Sequence, residues 1–222
     1  MHDTPHTDMN AIGLLGGTFN PIHFGHLRMA EELAEALKLN QVRFIPSANP
    51  PHKETPAINA QQRAAMVQLA LHENPTFVLD SRELARDGAS YTIDTLTSLR
   101  SELGDQASIT LFMGSDAFTQ FDTWHRWQEI IEYCHIALVQ RPQLRGKQHR
   151  LSKTLETFLH HHYSENSDDL QGTASGIVTM RQITALDISS TAIRHALQHG
   201  HSVRYLMPES VIDYIERHQL YR

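Results

Sequence analysis

Ala11-Ile12-Gly13-Leu14-Leu15, followed by Gly16-Gly17-Thr18-Phe19-Asn20-Pro21-Ile22-His23-Phe24-Gly25-His26, is the stretch on which the reading of this chain turns. The first five residues form a short apolar run of the kind a buried strand needs. The glycines, Asn20 and Pro21 that follow break it with turn chemistry. Over 24–38 the apolar residues return at Leu27, Ala30, Ala34 and Leu37, in steps of three and four that make one helical face. Strand, glycine-rich turn and helix together are the opening unit of a parallel sheet.

Moving outward, the unit recurs. Strands are expected at 42–45, 76–79, 108–113, 135–139 and 177–183. Helices are expected at about 59–72, 92–103, 124–133, 151–162, 189–199 and from Pro208 onward. Asn59 with Gln62 three residues later suits a helix start, and Gly200 and Pro208 suit a helix stop and a helix first turn. The stretches 46–59, 81–90, 114–116, 141–150 and 164–175 read as loops. This alternation predicts a doubly wound, Rossmann-like α/β fold: a parallel sheet with helices on both faces, connected right-handedly. Residues 1–10 form a polar leader without the basic and apolar regions of a secretory signal. No break in composition divides 11–222, so a single domain is expected there.

Composition narrows the function. In 222 residues there are 19 basic and 25 acidic side chains, for a net charge of −6, which disfavours a nucleic-acid binder. One cysteine, Cys134, excludes a disulfide scaffold and fits a reducing compartment. No apolar run is long enough to span a membrane, and a cytoplasmic protein is expected. A chain of this length buries ~70 % of its unfolded surface and needs no staples.

In open parallel sheets, ligands bind beyond the carboxyl ends of the strands, and the loops there hold the unusual residues. Gly16 and Gly17 allow close backbone approach, and the helix start after them suits a phosphate. His23 and His26 lie three apart on its first turn, with Gly25 leaving room between them. The same loop also reads as a tight turn with two exposed histidines. A histidine pair suggests zinc too, but no third ligand accompanies it, and no metal site is expected. After the second strand, Pro50-Pro51-His52-Lys53 holds an ammonium on a stiff loop. Near the C-terminus, Ser189, Ser190 and Arg194 share a helix start, a capped helix or an anion site. Gly114-Ser115-Asp116 offers a carboxylate to a ribose, Trp124 a flat surface or a core residue, and Ser90-Tyr91-Thr92 a row of hydroxyls at a helix start. Neither a Walker lysine nor a G-x-S-x-G elbow is present. Two helix starts, a lysine and an arginine all suit one polyphosphate.

These segments carry a resemblance. Residues 16–26 resemble the H-x-G-H signature of the nucleotidyltransferase superfamily. With Pro50-Pro51-His52-Lys53, Tyr91-Thr92 before Asp94-Thr95-Leu96, Gly114-Ser115-Asp116 with Trp124, and Ile188-Ser189-Ser190-Thr191-Ala192-Ile193-Arg194, the chain is similar to bacterial nicotinate-nucleotide adenylyltransferases over about 11–219. It departs from their pattern at Asn20, where many relatives carry Asp. The resemblance implies transfer of AMP from ATP to nicotinate mononucleotide, with Mg²⁺ arriving on ATP, by direct in-line attack without a covalent intermediate. It implies that Gly16, Thr18 and Phe19 line the nucleotide site, and that His23, His26 and Lys53 contact the phosphates. Ser189, Ser190 and Arg194 then bind phosphate from the other side, Thr92 and Trp124 hold the nicotinate, and Asp116 lies near a ribose. An adenylyl- or cytidylyltransferase with another acceptor, and a non-catalytic nucleotide sensor, are the alternatives. His160-His161-His162 matches no motif and reads as a solvated helix end rather than a metal site.

Overall fold

The computed structural model describes residues 10–49, 58–140 and 151–222. The leader up to residue 9, the segment 50–57 that carries Lys53, and the expected connection 141–150 lie outside the described residues. The elements alternate as the periodicity requires: β1 (Ala11–Gly17), α1 (Phe24–Ala36), β2 (Gln41–Pro46), α2 (Ala60–Leu71), β3 (Phe77–Leu79), α3 (Thr92–Leu103), β4 (Ser108–Gly114), α4 (Ser115–Phe118), α5 (Trp127–Tyr133), β5 (His135–Gln140), α6 (Lys153–His162), α7 (Asp169–Gly172), β6 (Val178–Gln182), α8 (Ser190–Gln198) and α9 (Glu209–Arg217). The strands form one parallel sheet in the order β3-β2-β1-β4-β5-β6.

The two-residue period of the strands sorts their side chains onto two apolar layers. Ile12 and Leu14 of β1, Ile109, Leu111 and Met113 of β4, and Ile136 and Leu138 of β5 share a core with α3, α5 and α6. Leu15, Phe112, Ala137 and Val139 belong to the other core, under α1, α2, α8 and α9. Gly13 sits between strands for a steric reason: a Cβ there would lie 2.4 Å from the Phe112 ring and 2.8 Å from Leu39. The sheet reverses its winding between β1 and β4, and in open sheets of this kind ligands bind at that point, beyond the carboxyl ends of the strands.

Three expectations shift. The break expected at 114–116 begins a short helix, α4, under which Phe118 is buried. The helix expected from residue 124 begins at Trp127. A 3-10 turn over Phe121–Thr123 precedes it, and Arg126 takes a left-handed φ of 51° that no continuous helix accommodates. The loop expected over 164–175 contains α7, which tucks Leu170 into the second core. At the far end of the sheet, Arg100 donates to the carbonyls of Ala107, Tyr133 and Ala174, tying α3 to the starts of β4 and β6.

Candidate active site

The loop after β1 is built around one ring. Phe19 adopts a positive φ of 46° and is almost fully buried, edge-on to His26 at 5.2 Å between ring centres. A Cβ on Gly17 would sit 3.1 Å from that ring, so Gly17 serves internal packing. Gly16 is exposed, and nothing of the protein lies within 4 Å of where its Cβ would be. Of the two glycines expected to face a ligand, only Gly16 has open space beside it.

His23 stands at the N-cap of α1 in extended backbone, and its ring stacks on that of His26 at 3.8 Å. The open space expected between the imidazoles is therefore closed by their stacking; Gly25 lies instead against the buried His23 ring, where a Cβ would come within 3.0 Å. The His23 amide donates to His26 Nδ1 at 3.3 Å. In the neutral ring that acceptor assigns the proton to Nε2. The helix-start amides are partly committed within the protein: Phe24 donates to the Leu206 carbonyl and His26 to the His23 carbonyl.

The start of α8 meets the same loop. Arg194 Nη1 donates to the Asn20 carbonyl at 2.8 Å, and the Ser190 hydroxyl donates to the Pro21 carbonyl at 2.9 Å. The carbonyl of Ile188 lies 3.6 Å from the Cβ position of Gly25. Contacts spanning 174 and 169 positions therefore bring both helix starts to one place. Ser189 is the N-cap, its oxygen accepting from the Ala192 amide at 3.1 Å.

The segment before α3 is pinned to the end of β2. Ser90 Oγ accepts from the amides of Ala48 and Asn49, and Asn49 Nδ2 donates to the Gly88 carbonyl. Behind it, buried Glu83 accepts from the Thr95 hydroxyl at 2.8 Å. Burial raises its pKa, and the Ser90 and Thr95 hydroxyls oppose that shift. Tyr91 lies against His125 with ring centres 4.4 Å apart, which brings Thr92 at the start of α3 to the segment carrying Trp124. Trp124 is half-buried, edge-on to Phe121 at 5.6 Å. Gly114 and Asp116 are exposed where β4 turns into α4. His160 and His161 are exposed at the end of α6, whereas His162 bonds the Gly176 carbonyl and packs on Phe158.

Two residues at this site escaped the sequence reading. Arg63 of α2 is buried, donating to the Thr18 carbonyl at 2.6 Å and the Ser47 carbonyl at 2.7 Å. Its signal was present: a charge at an apolar-face position, three after Ala60 and four before Val67. Tyr221 donates to Asn20 Oδ1 at 2.6 Å, and no local pattern announces that contact. Asn20 is thus an acceptor here through its side-chain oxygen.

The chain matches the cytidylyltransferase-like family over residues 14–196. A Pseudomonas fluorescens protein described as a probable nicotinate-nucleotide adenylyltransferase is 45% identical over 211 residues, covering 95% of this chain and 97% of its own. One of the same description from Acidithiobacillus ferrooxidans is 40% identical over 222 residues, covering 100% of this chain and 99% of its own. Among solved structures, Plasmodium falciparum nicotinic acid mononucleotide adenylyltransferase complexed with NaAD shares the fold, with a TM-score of 0.69 at 15% identity, covering 96% of this chain and 97% of its own. Full-length identity at this level, in a chain whose H-x-G-H turn leaves the sheet at its point of reversal, makes it a member of the nicotinate-nucleotide adenylyltransferase family.

Proposed function

We propose that this protein transfers the adenylyl group of ATP to nicotinate mononucleotide, giving nicotinate adenine dinucleotide and pyrophosphate. The carrying observation is the meeting of the α1 and α8 starts on the loop after β1, beside the sheet's reversal point. Gly16, Thr18 and Phe19 form the floor of the nucleotide site, and His23, His26, Ser190 and Arg194 face the triphosphate from two sides. Ser189 and Lys53 complete this phosphate set. Thr92 and Trp124 hold the acceptor ring on the β4 side, with Gly114 and Asp116 next to the ribose.

A phosphate oxygen of the mononucleotide attacks the α-phosphorus in line. The bond from that phosphorus to the bridging oxygen breaks, and pyrophosphate departs with the electron pair. The nucleophile is already ionised at pH 7, so no general base is needed. The protein's work is to align two anions that repel each other and to meet the charge on the leaving group. Alignment of this kind supplies up to ~7–11 kcal/mol. Mg²⁺ enters with the triphosphate as part of the substrate. Among the described residues, no three His, Cys, Asp or Glu side chains are grouped to hold an ion of the protein's own.

The test offers ATP with nicotinate mononucleotide, nicotinamide mononucleotide or phosphopantetheine, and follows pyrophosphate release. Release dependent on nicotinate mononucleotide supports the reading. Preference for phosphopantetheine assigns a different acceptor, and nucleotide binding without release under any acceptor makes the protein a sensor.

A further inference from the structure

The loop 18–21 is gripped by side chains from three distant parts of the chain. Arg63 takes the Thr18 carbonyl, Arg194 the Asn20 carbonyl, Ser190 the Pro21 carbonyl, and Tyr221 the Asn20 side chain. Tyr221 follows α9, at a positive φ of 61°, with its ring buried. Burial holds its phenol above the ordinary range, although Arg63 and Arg194 both act to lower it. The hydroxyl therefore stays a neutral donor at working pH. Arg63 is 1% exposed, and among the described residues its hydrogen bonds run to backbone carbonyls.

Burying a guanidinium among carbonyls is an expensive way to fill space, since an apolar side chain of similar volume avoids the desolvation cost. What it achieves is directional. A trans peptide is planar, with its C=O and N–H on opposite sides. Pinning the Thr18 carbonyl toward Arg63 thus turns the Phe19 amide to the opposite side. Tyr221 fixes Asn20, the next residue along, through its side chain.

We propose that Tyr221 and Arg63 are positioning residues for adenylyl transfer, acting through the loop 18–21 to hold its peptide planes in the one arrangement that meets the triphosphate. The inference rests on reading this loop as the triphosphate cradle.

Tyr221→Phe deletes one oxygen and keeps the ring, and Asn20→Ala removes its acceptor. In Tyr221→Phe we expect kcat to fall about tenfold and MgATP affinity, read by calorimetry, to weaken about threefold to tenfold, with KM for the mononucleotide unchanged. The double variant should be no worse than the poorer single one. Arg63→Lys should lose at least as much kcat while still unfolding cooperatively. Wild-type kcat and MgATP affinity in Tyr221→Phe overturn the proposal. So do equal weakening of both substrates, which signals general loosening, and additive losses in the double variant. Should Tyr221→Phe fail to fold, Asn20→Ala decides alone, and wild-type kinetics in it overturn the proposal. Calorimetry needs no acceptor, so it tests the bracket even where the wild type makes no dinucleotide, an outcome that sinks the proposed reaction instead.

Discussion

His26 has two separable jobs, and substitution can part them. Its Nδ1 accepts the His23 amide at 3.3 Å, a long bond of modest worth, while in the neutral ring Nε2 carries the hydrogen that the proposed reaction gives to a phosphate. Asparagine places its amide near the position of Nδ1 and glutamine near that of Nε2. His26→Asn therefore keeps an acceptor for the turn and removes the outer donor; His26→Gln does the reverse. Losing the turn bond costs about 0.5–1.5 kcal/mol of stability. Losing a preorganised donor to the departing pyrophosphate costs about 2.7–4 kcal/mol, or 10²–10³ in kcat. The expected pattern is a well-folded His26→Asn slowed at least 100-fold, and a less stable His26→Gln that retains more turnover. Pyrophosphate release at saturating ATP and mononucleotide gives kcat, and circular dichroism melting gives stability. A folded His26→Asn within threefold of wild-type kcat would falsify the assignment of that donor to catalysis.

Other consequences are simpler to measure. Gly13→Ala forces a methyl into the Phe112 ring and should cost about 1–3 kcal/mol by overpacking, a fall in Tm of about 2–4 °C per kcal/mol; an unchanged Tm contradicts the stated contact. Buried His135 accepts the Ile177 amide on Nδ1 and bonds the Thr173 carbonyl through Nε2; burial lowers its pKa, helped by Arg100 and opposed by the Thr173 bond. Below about pH 6.5 the unfolded chain then binds a proton that the native state refuses, so stability falls with pH until the native pKa is passed. Urea midpoints at pH 7.5 and 5.5 should separate less in His135→Gln than in wild type. Cys134 is fully buried, with its thiol pushed up to about 12, so the native protein should resist iodoacetamide at pH 8 and become labelled in urea. Rapid native labelling refutes that burial.

Much of this architecture was readable because its causes are local. Leu27, Ala30 and Ala34 repeat at helical spacing, Ile12 and Leu14 alternate with Gly13 and Leu15, and Asn59 caps α2 by accepting from the Gln62 amide three residues on. The motif-bearing turns were legible for the same reason, since glycines and prolines mark them. What escaped depends on partners far along the chain. Leu170 forms a helical turn because a distant core needs an apolar plug, and nothing in Ser164 to Ser175 reveals that. Gly17 looks like Gly16 in sequence, and only the Phe19 ring tells them apart. Tyr91 and His125 face each other across two connections. The hydroxyls of Ser189 and Ser190 were predicted together, yet one caps its own helix and the other reaches Pro21.

The bond from Tyr221 to Asn20 spans 201 positions. A ribosome adding about 5–20 residues per second makes the acceptor roughly 10–40 s before the donor. Throughout that interval the nascent polypeptide carries its most functional turn unlatched, and β1 waits also for β4, its later neighbour in the sheet. Whatever shields a newborn chain must therefore cover this turn until translation has passed Tyr221, and a cargo fused close behind that tyrosine would interfere with the final latch rather than with the sheet.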